Sequence, residues 1–80
     1  MRESNHIKYR NLGGDSGVDT YKIEEESIEI TFKRGGTYLY THQATGRQNV
    51  EHMKLLARSG RGLNAFINAH VKHKYEKGPL

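Results

Sequence analysis

The chain has 80 residues, 34% hydrophobic and 28% charged, with a formal net charge of +4. At a mean hydropathy of −0.88, this is a single small domain with a thin core, because a chain of this size buries only roughly 60% of the surface it exposes when unfolded. The absence of cysteine excludes a disulfide framework, thiolate chemistry and cysteine zinc sites. No apolar run reaches the roughly 18 residues of a membrane span. The start, Met1-Arg2-Glu3-Ser4-Asn5-His6, has no apolar h-region and does not read as a signal peptide. A cytoplasmic location without membrane association is expected.

Residues 6–11 alternate apolar and polar, so Ile7 and Tyr9 share one face of a short strand within an N-terminal extension over 1–15. Gly13-Gly14-Asp15-Ser16-Gly17 reads as a loop. Val18 to Ile23 reads as a strand, and Glu24-Glu25-Glu26-Ser27 as a turn. Ser27 to Lys33 is the clearest strand, with Ile28, Ile30 and Phe32 alternating against Glu29, Thr31 and Lys33. Arg34-Gly35-Gly36 is a hairpin turn, and Thr37 to His42 the returning strand. A two-residue loop sets Phe32 opposite Leu39 and sends Tyr38 and Tyr40 to the other face. A three-residue loop sets Phe32 opposite Tyr38 and Ile30 opposite Tyr40, and the sequence leaves both registers open.

Thr45-Gly46-Arg47-Gln48 fits a capping box for a helix over 46–59, whose apolar stripe is Val50, Met53, Leu56 and Ala57. Gly60 is its terminator, with Arg58 in the last turn. A second helix over 63–75 aligns Leu63, Phe66, Ile67, Val71 and Tyr75. Residues 76–80 read as a frayed tail. Strands followed by helices give an α+β fold: an antiparallel sheet of three or four strands packed on one face by two C-terminal helices. The expected core is Ile23, Ile28, Ile30, Phe32, Val50, Met53, Leu56, Leu63, Phe66, Ile67 and Val71. Leu63→Ala and Phe66→Ala are each expected to cost about 2–5 kcal/mol.

Charge is unevenly spread: residues 16–32 carry a net −4 and residues 33–80 a net +7. A basic surface of this kind attracts polyanions. Lys33 and Arg34 flank the hairpin turn, while Lys54, Arg58 and Arg61 recur at about one-turn spacing and form a basic ridge if they share a face. Gly60-Arg61-Gly62 would bring backbone N–H groups and a guanidinium to a phosphate. Tyr38 and Tyr40 point to one face, where they either stack unpaired bases or complete the core. His70 and His73 are three apart, but further zinc ligands at recognisable spacing are missing, so no metal and no cofactor are expected. His70 is expected to border the core beside Phe66 and Ile67. Nucleophile, base and orienter do not assemble into a recognisable catalytic set, and there is no phosphate loop, so a noncatalytic role is expected.

The stretch from about Ser16 to Tyr75 resembles the KTSC family, which is named for a C-terminal extension of some lysyl-tRNA synthetases and also occurs as small bacterial and phage proteins. The resemblance lies in Phe32-Lys33-Arg34-Gly35-Gly36-Thr37-Tyr38-Leu39-Tyr40, in Ala57-Arg58-Ser59-Gly60-Arg61-Gly62-Leu63-Asn64-Ala65-Phe66-Ile67, and in the closing Tyr75. The stretch between Tyr40 and Val50 lacks the family's Val-Pro, and residues 1–15 lie outside its pattern. The resemblance implies no established activity, and its synthetase context suggests RNA. Two functions are expected on these grounds. One is a module that binds RNA or single-stranded DNA through Lys33, Arg34, Arg58 and Arg61, with Tyr38 and Tyr40 on bases. The other is a protein-interaction or accessory module that pairs with a partner or with itself, through a sheet face carrying Leu39 or an edge strand at Ile7 and Tyr9.

Overall fold

The computed structural model describes residues 6–14 and 16–80; Asp15 of the glycine-rich loop and residues 1–5 lie outside the described residues. Four antiparallel strands form one sheet in chain order, β1 (Ile7–Lys8), β2 (Val18–Glu24), β3 (Ser27–Phe32) and β4 (Gly36–Thr41). A short helix α1 (His42–Thr45) leads into α2 (Arg47–Ser59). After the Gly60–Gly62 junction, α3 (Leu63–Phe66) runs into a π-helical stretch (Ile67–Val71). The fold is therefore the expected α+β arrangement, with the helices on one sheet face. Among the described residues, no helix is long and apolar enough to cross a membrane.

Period-two alternation places Ile28, Ile30 and Tyr40 on the helix-facing side, where each is at most 1% exposed. Val50, Met53 and Ala57 of α2 close on them, as do Leu63, Ile67 and Val71, which repeat every four residues. Tyr9, Val18 and Tyr21 complete the buried cluster, while Ile23, Phe32, Leu56 and Phe66 pack against its margin only half-buried. The outer sheet face carries Thr20, Lys22, Glu29, Thr31 and Thr37 around a half-buried Leu39.

The hairpin follows neither expected register. Phe32 pairs with Gly36, Ile30 with Tyr38 and Ile28 with Tyr40, so the turn is Lys33-Arg34-Gly35. The tyrosines still take the core face, because a shift of two residues preserves side-chain parity. Gly36 begins the returning strand at φ 85°, in the left-handed region that favours glycine.

Three other expectations are corrected. Thr45 does not cap α2: its hydroxyl donates to Lys74 O at 2.6 Å, Gly46 stands at the N-cap, and Thr41 instead caps α1, accepting from Ala44 N at 3.1 Å. The last helix ends at Val71 rather than 75, and Tyr75 packs beyond it. The tail is not frayed. Leu39 N donates to Lys77 O at 2.9 Å, Glu76 N to Leu39 O at 2.7 Å and Leu80 N to Thr37 O at 2.7 Å, so residues 76–80 lie along the free side of β4.

Candidate functional site

One end of the sheet meets the helix junction. The turn Lys33-Arg34-Gly35 is held to the entry of β2 by Lys33 N donating to Gly17 O at 2.8 Å. Gly17 lies beneath Asn64, since a Cβ there would sit 3.5 Å from Asn64 Oδ1. Gly60 and Gly62, both at φ 78°, reverse the chain from α2 into α3 and leave Arg61 exposed between them. Gly60 N caps α2 by donating to Leu56 O. The N-terminal extension docks here as well: Leu12 N donates to Gly60 O at 2.8 Å, and the Arg10 guanidinium donates to Arg58 O.

Three grooves open at this end and share their borders. The first, about 420 Å³, lies between residues 9–16 and residues 60–68, with Asn11, Arg61, Asn64 and Asn68 in its lining. The second runs beside Phe32, Tyr38 and Tyr75 under Lys72 and His73. The third passes Ser16, Phe32, Lys33 and Arg34. Asn68 joins the first to the second, Ser16 the first to the third, and Phe32 with Gly35 the second to the third. The three grooves are thus adjacent, with cations on their rims and amides and aromatic rings in their walls.

The basic residues named from sequence divide accordingly. Lys33, Arg34 and Arg61 are exposed around these grooves, and Arg58 is exposed in the last turn of α2, joined to Arg10 through its carbonyl. Lys54 leaves the expected ridge. It is buried, with Nζ donating to Glu25 O at 2.9 Å and paired with Glu51 at 2.9 Å. Glu51 also meets His42 Nε2 at 2.8 Å. Hydrogen bonds from Lys54 and then from His42 hold the Glu51 carboxyl down at about 2.

The tyrosine expectation is also revised. Tyr40 is 1% exposed and offers no face to a base. Burial, with Tyr38 and Tyr75 alongside, pushes its hydroxyl up to about 12. Tyr38 is half-buried, edge-on to Phe32 at 5.8 Å and to Tyr75 at 4.8 Å between ring centroids. It forms a groove wall in place of an open stacking platform on the sheet.

Sequence reasoning missed Arg10, Asn11, Asn64, Asn68 and Tyr75 as site residues. Asn64 and Asn68 carried a signal, since two asparagines four apart in a helix are poor helix formers on one face. Asn11 carried none, because its place depends on how the extension docks. The surfaces named for self-association are partly engaged within the chain: β1 pairs with β2 and forms the sheet's edge beyond it, and the Leu39 backbone bonds the tail while its side chain stays on the outer sheet face. Among the described residues, no group of three or more metal-ligating side chains comes together. His70 is exposed, with its ring centroid 4.7 Å from that of Phe66, and the His52 ring lies at the same distance from Phe66.

No family model matches the chain, and no curated protein and no solved structure does either; the resemblance to the KTSC family rests on the order of its motifs alone.

Proposed function

We propose that this protein is a small noncatalytic, cytoplasmic module that binds RNA or single-stranded DNA at the grooved end of the sheet. The observation that carries the reading is that three adjacent grooves, sharing bordering residues, are lined by Arg61, Lys33, Arg34 and Lys72. A single strand needs such a path: cations that follow the phosphates, and walls with hydrogen-bonding and aromatic groups for bases that are not paired. The acidic turn Glu24-Glu25-Glu26 lies at the opposite end of β2 and β3 and leaves the path free of its charge. The motif order resembling the KTSC family agrees with this reading.

The test is an NMR titration with single-stranded RNA and DNA oligonucleotides at low and physiological salt. Shifts should cluster at 33–35, 60–64 and 68–73 and weaken with salt, because each neutralised phosphate of a single strand contributes about 0.7 to the log–log slope. Arg61→Glu with Lys33→Glu should abolish the shifts. Affinity that is flat with salt, or shifts confined to other surfaces, refutes the proposal. A concentration-dependent mass combined with indifference to nucleic acid would select the protein-interaction module instead.

A further inference from the structure

Residues 76–80 lie along the outer side of β4, and the middle one rests against a ring. The segment is held through its backbone, by Leu39 N donating to Lys77 O, Glu76 N to Leu39 O and Leu80 N to Thr37 O. The Thr41 hydroxyl adds a bond to the Glu76 carboxylate at 2.9 Å. Gly78 comes so close to Tyr38 that a Cβ on it would overlap the Cγ, Cδ2 and Cε2 atoms of the ring. Only a residue without a side chain fits there. The Tyr38 ring is fixed from other directions, edge-on to Phe32 and to Tyr75, and it borders the second groove with Lys72 and His73. Glu76, Lys77, Pro79 and Leu80 are exposed, so little apolar burial holds the segment down. Lys72, Lys74 and Lys77 are exposed along the same run of chain.

Resting on the nucleic-acid reading above, we infer that residues 76–80 are a strap over Tyr38, and that an unpaired base of the bound strand displaces Gly78 to stack on the ring. A base offers the ring a broad π-face in place of one narrow stretch of backbone. The lysines on either side of Tyr75 and Gly78 draw the phosphates to the same segment. Stacking accepts every base, so the exchange sets affinity and not sequence preference. The ring is usable only when the strap is open. The free chain therefore binds below its full affinity, in proportion to the fraction of molecules already open. A strap with a structural role alone predicts the reverse: loosening it weakens the fold and gains nothing in binding.

The test titrates the full chain with a short single-stranded RNA, and with DNA of the same sequence, while amide exchange is followed at Leu39 and Leu80. Both amides bond across the strap, so their protection should fall as the oligonucleotide saturates the wild type. Gly78→Val cannot fit beside the ring and leaves the charge unchanged. It should lose that protection without ligand, melt lower, and yet bind about fivefold tighter or more, the lower end of what one stacked base contributes. Introduced into Tyr38→Leu, the same substitution should bring no gain. Protection that holds at saturation, no gain in Gly78→Val, or a gain that survives in Tyr38→Leu overturns the strap and leaves charge-driven binding at the grooves standing. No binding of either oligonucleotide at low salt overturns both readings.

Discussion

A single ammonium ties the helical layer to the turn between β2 and β3. Lys54 reaches Glu25 O from the border of the stripe that buries Val50, Met53 and Ala57, and it is 5% exposed itself. Lys54→Met keeps the aliphatic stem but removes the donor, and should lower stability by about 1.5–3 kcal/mol, the usual scale for a hydrogen bond to a charged group; chemical denaturation reads it. Glu51 yields a pH prediction. Its folded carboxyl titrates at about 2 against an ordinary 4.5, so its ionised form is favoured by folding. That contribution is complete above about 4.5 and disappears as pH falls towards 2. Melting temperatures of the wild type and Glu51→Gln should therefore differ most above pH 4.5 and converge towards pH 2, with a smaller gap in high salt because the carboxylate is half-exposed. The one-turn spacing of Lys54, Arg58 and Arg61 reads as a basic ridge in the sequence, but Lys54 is buried under the acidic turn and Arg61 lies beyond the end of α2, since periodicity fixes faces and not what each face meets.

At the scale of elements, the α2–α3 junction is the least replaceable part. Gly60 is left-handed and buried, and a Cβ on it would meet Arg10 Cβ at 3.0 Å. Gly60→Ala should cost about 1–2 kcal/mol from the backbone alone and should also lift the N-terminal extension, visible as lost exchange protection of the Leu12 amide. The next element separates two side chains that the sequence treats alike. Leu63 is fully buried, so Leu63→Ala should cost about 2–5 kcal/mol. Phe66 is half-buried beside the imidazoles of His52 and His70, and Phe66→Ala should cost clearly less in the same melt. The apolar period announced Leu63, Ile67 and Val71 correctly. The hairpin register was not legible because glycine at both 35 and 36 admits several loops, and the choice is made by the Lys33–Gly17 bond and by Pro79 packing on Gly36.

At the scale of the molecule, β1 extends the sheet beyond β2 as a two-residue edge strand, and residues 76–80 bond the outer side of β4. An open edge is a template for pairing with another chain. Deleting residues 76–80 should therefore both destabilise the fold and give a mass that rises with concentration in sedimentation, while the full chain shows no such rise through β4. A short polar segment with glycine and proline reads as a tail from sequence, because its order comes from distant partners: the Tyr38 ring against Gly78, and the Leu39 backbone against Lys77. The candidate site was legible in its exposed cations and not in its walls, which are assembled from residues far apart in the chain.

Residues 7–8 and 76–80 also join the sheet on different clocks. Ile7 reaches Tyr21 across a short separation, whereas Lys77 reaches Leu39 across one nearly three times longer. The difference in loop-closure entropy is only about 1 kcal/mol. Tyr75 packs edge-on against Tyr38 and Tyr40 just before the tail, so the tail should be laid down after the helical layer has docked. A refolding chain in which β1 has paired and the tail has not should expose the outer side of β4. The yield of refolded monomer should fall as protein concentration rises, and a free peptide spanning residues 74–80 should rescue it by occupying the waiting edge.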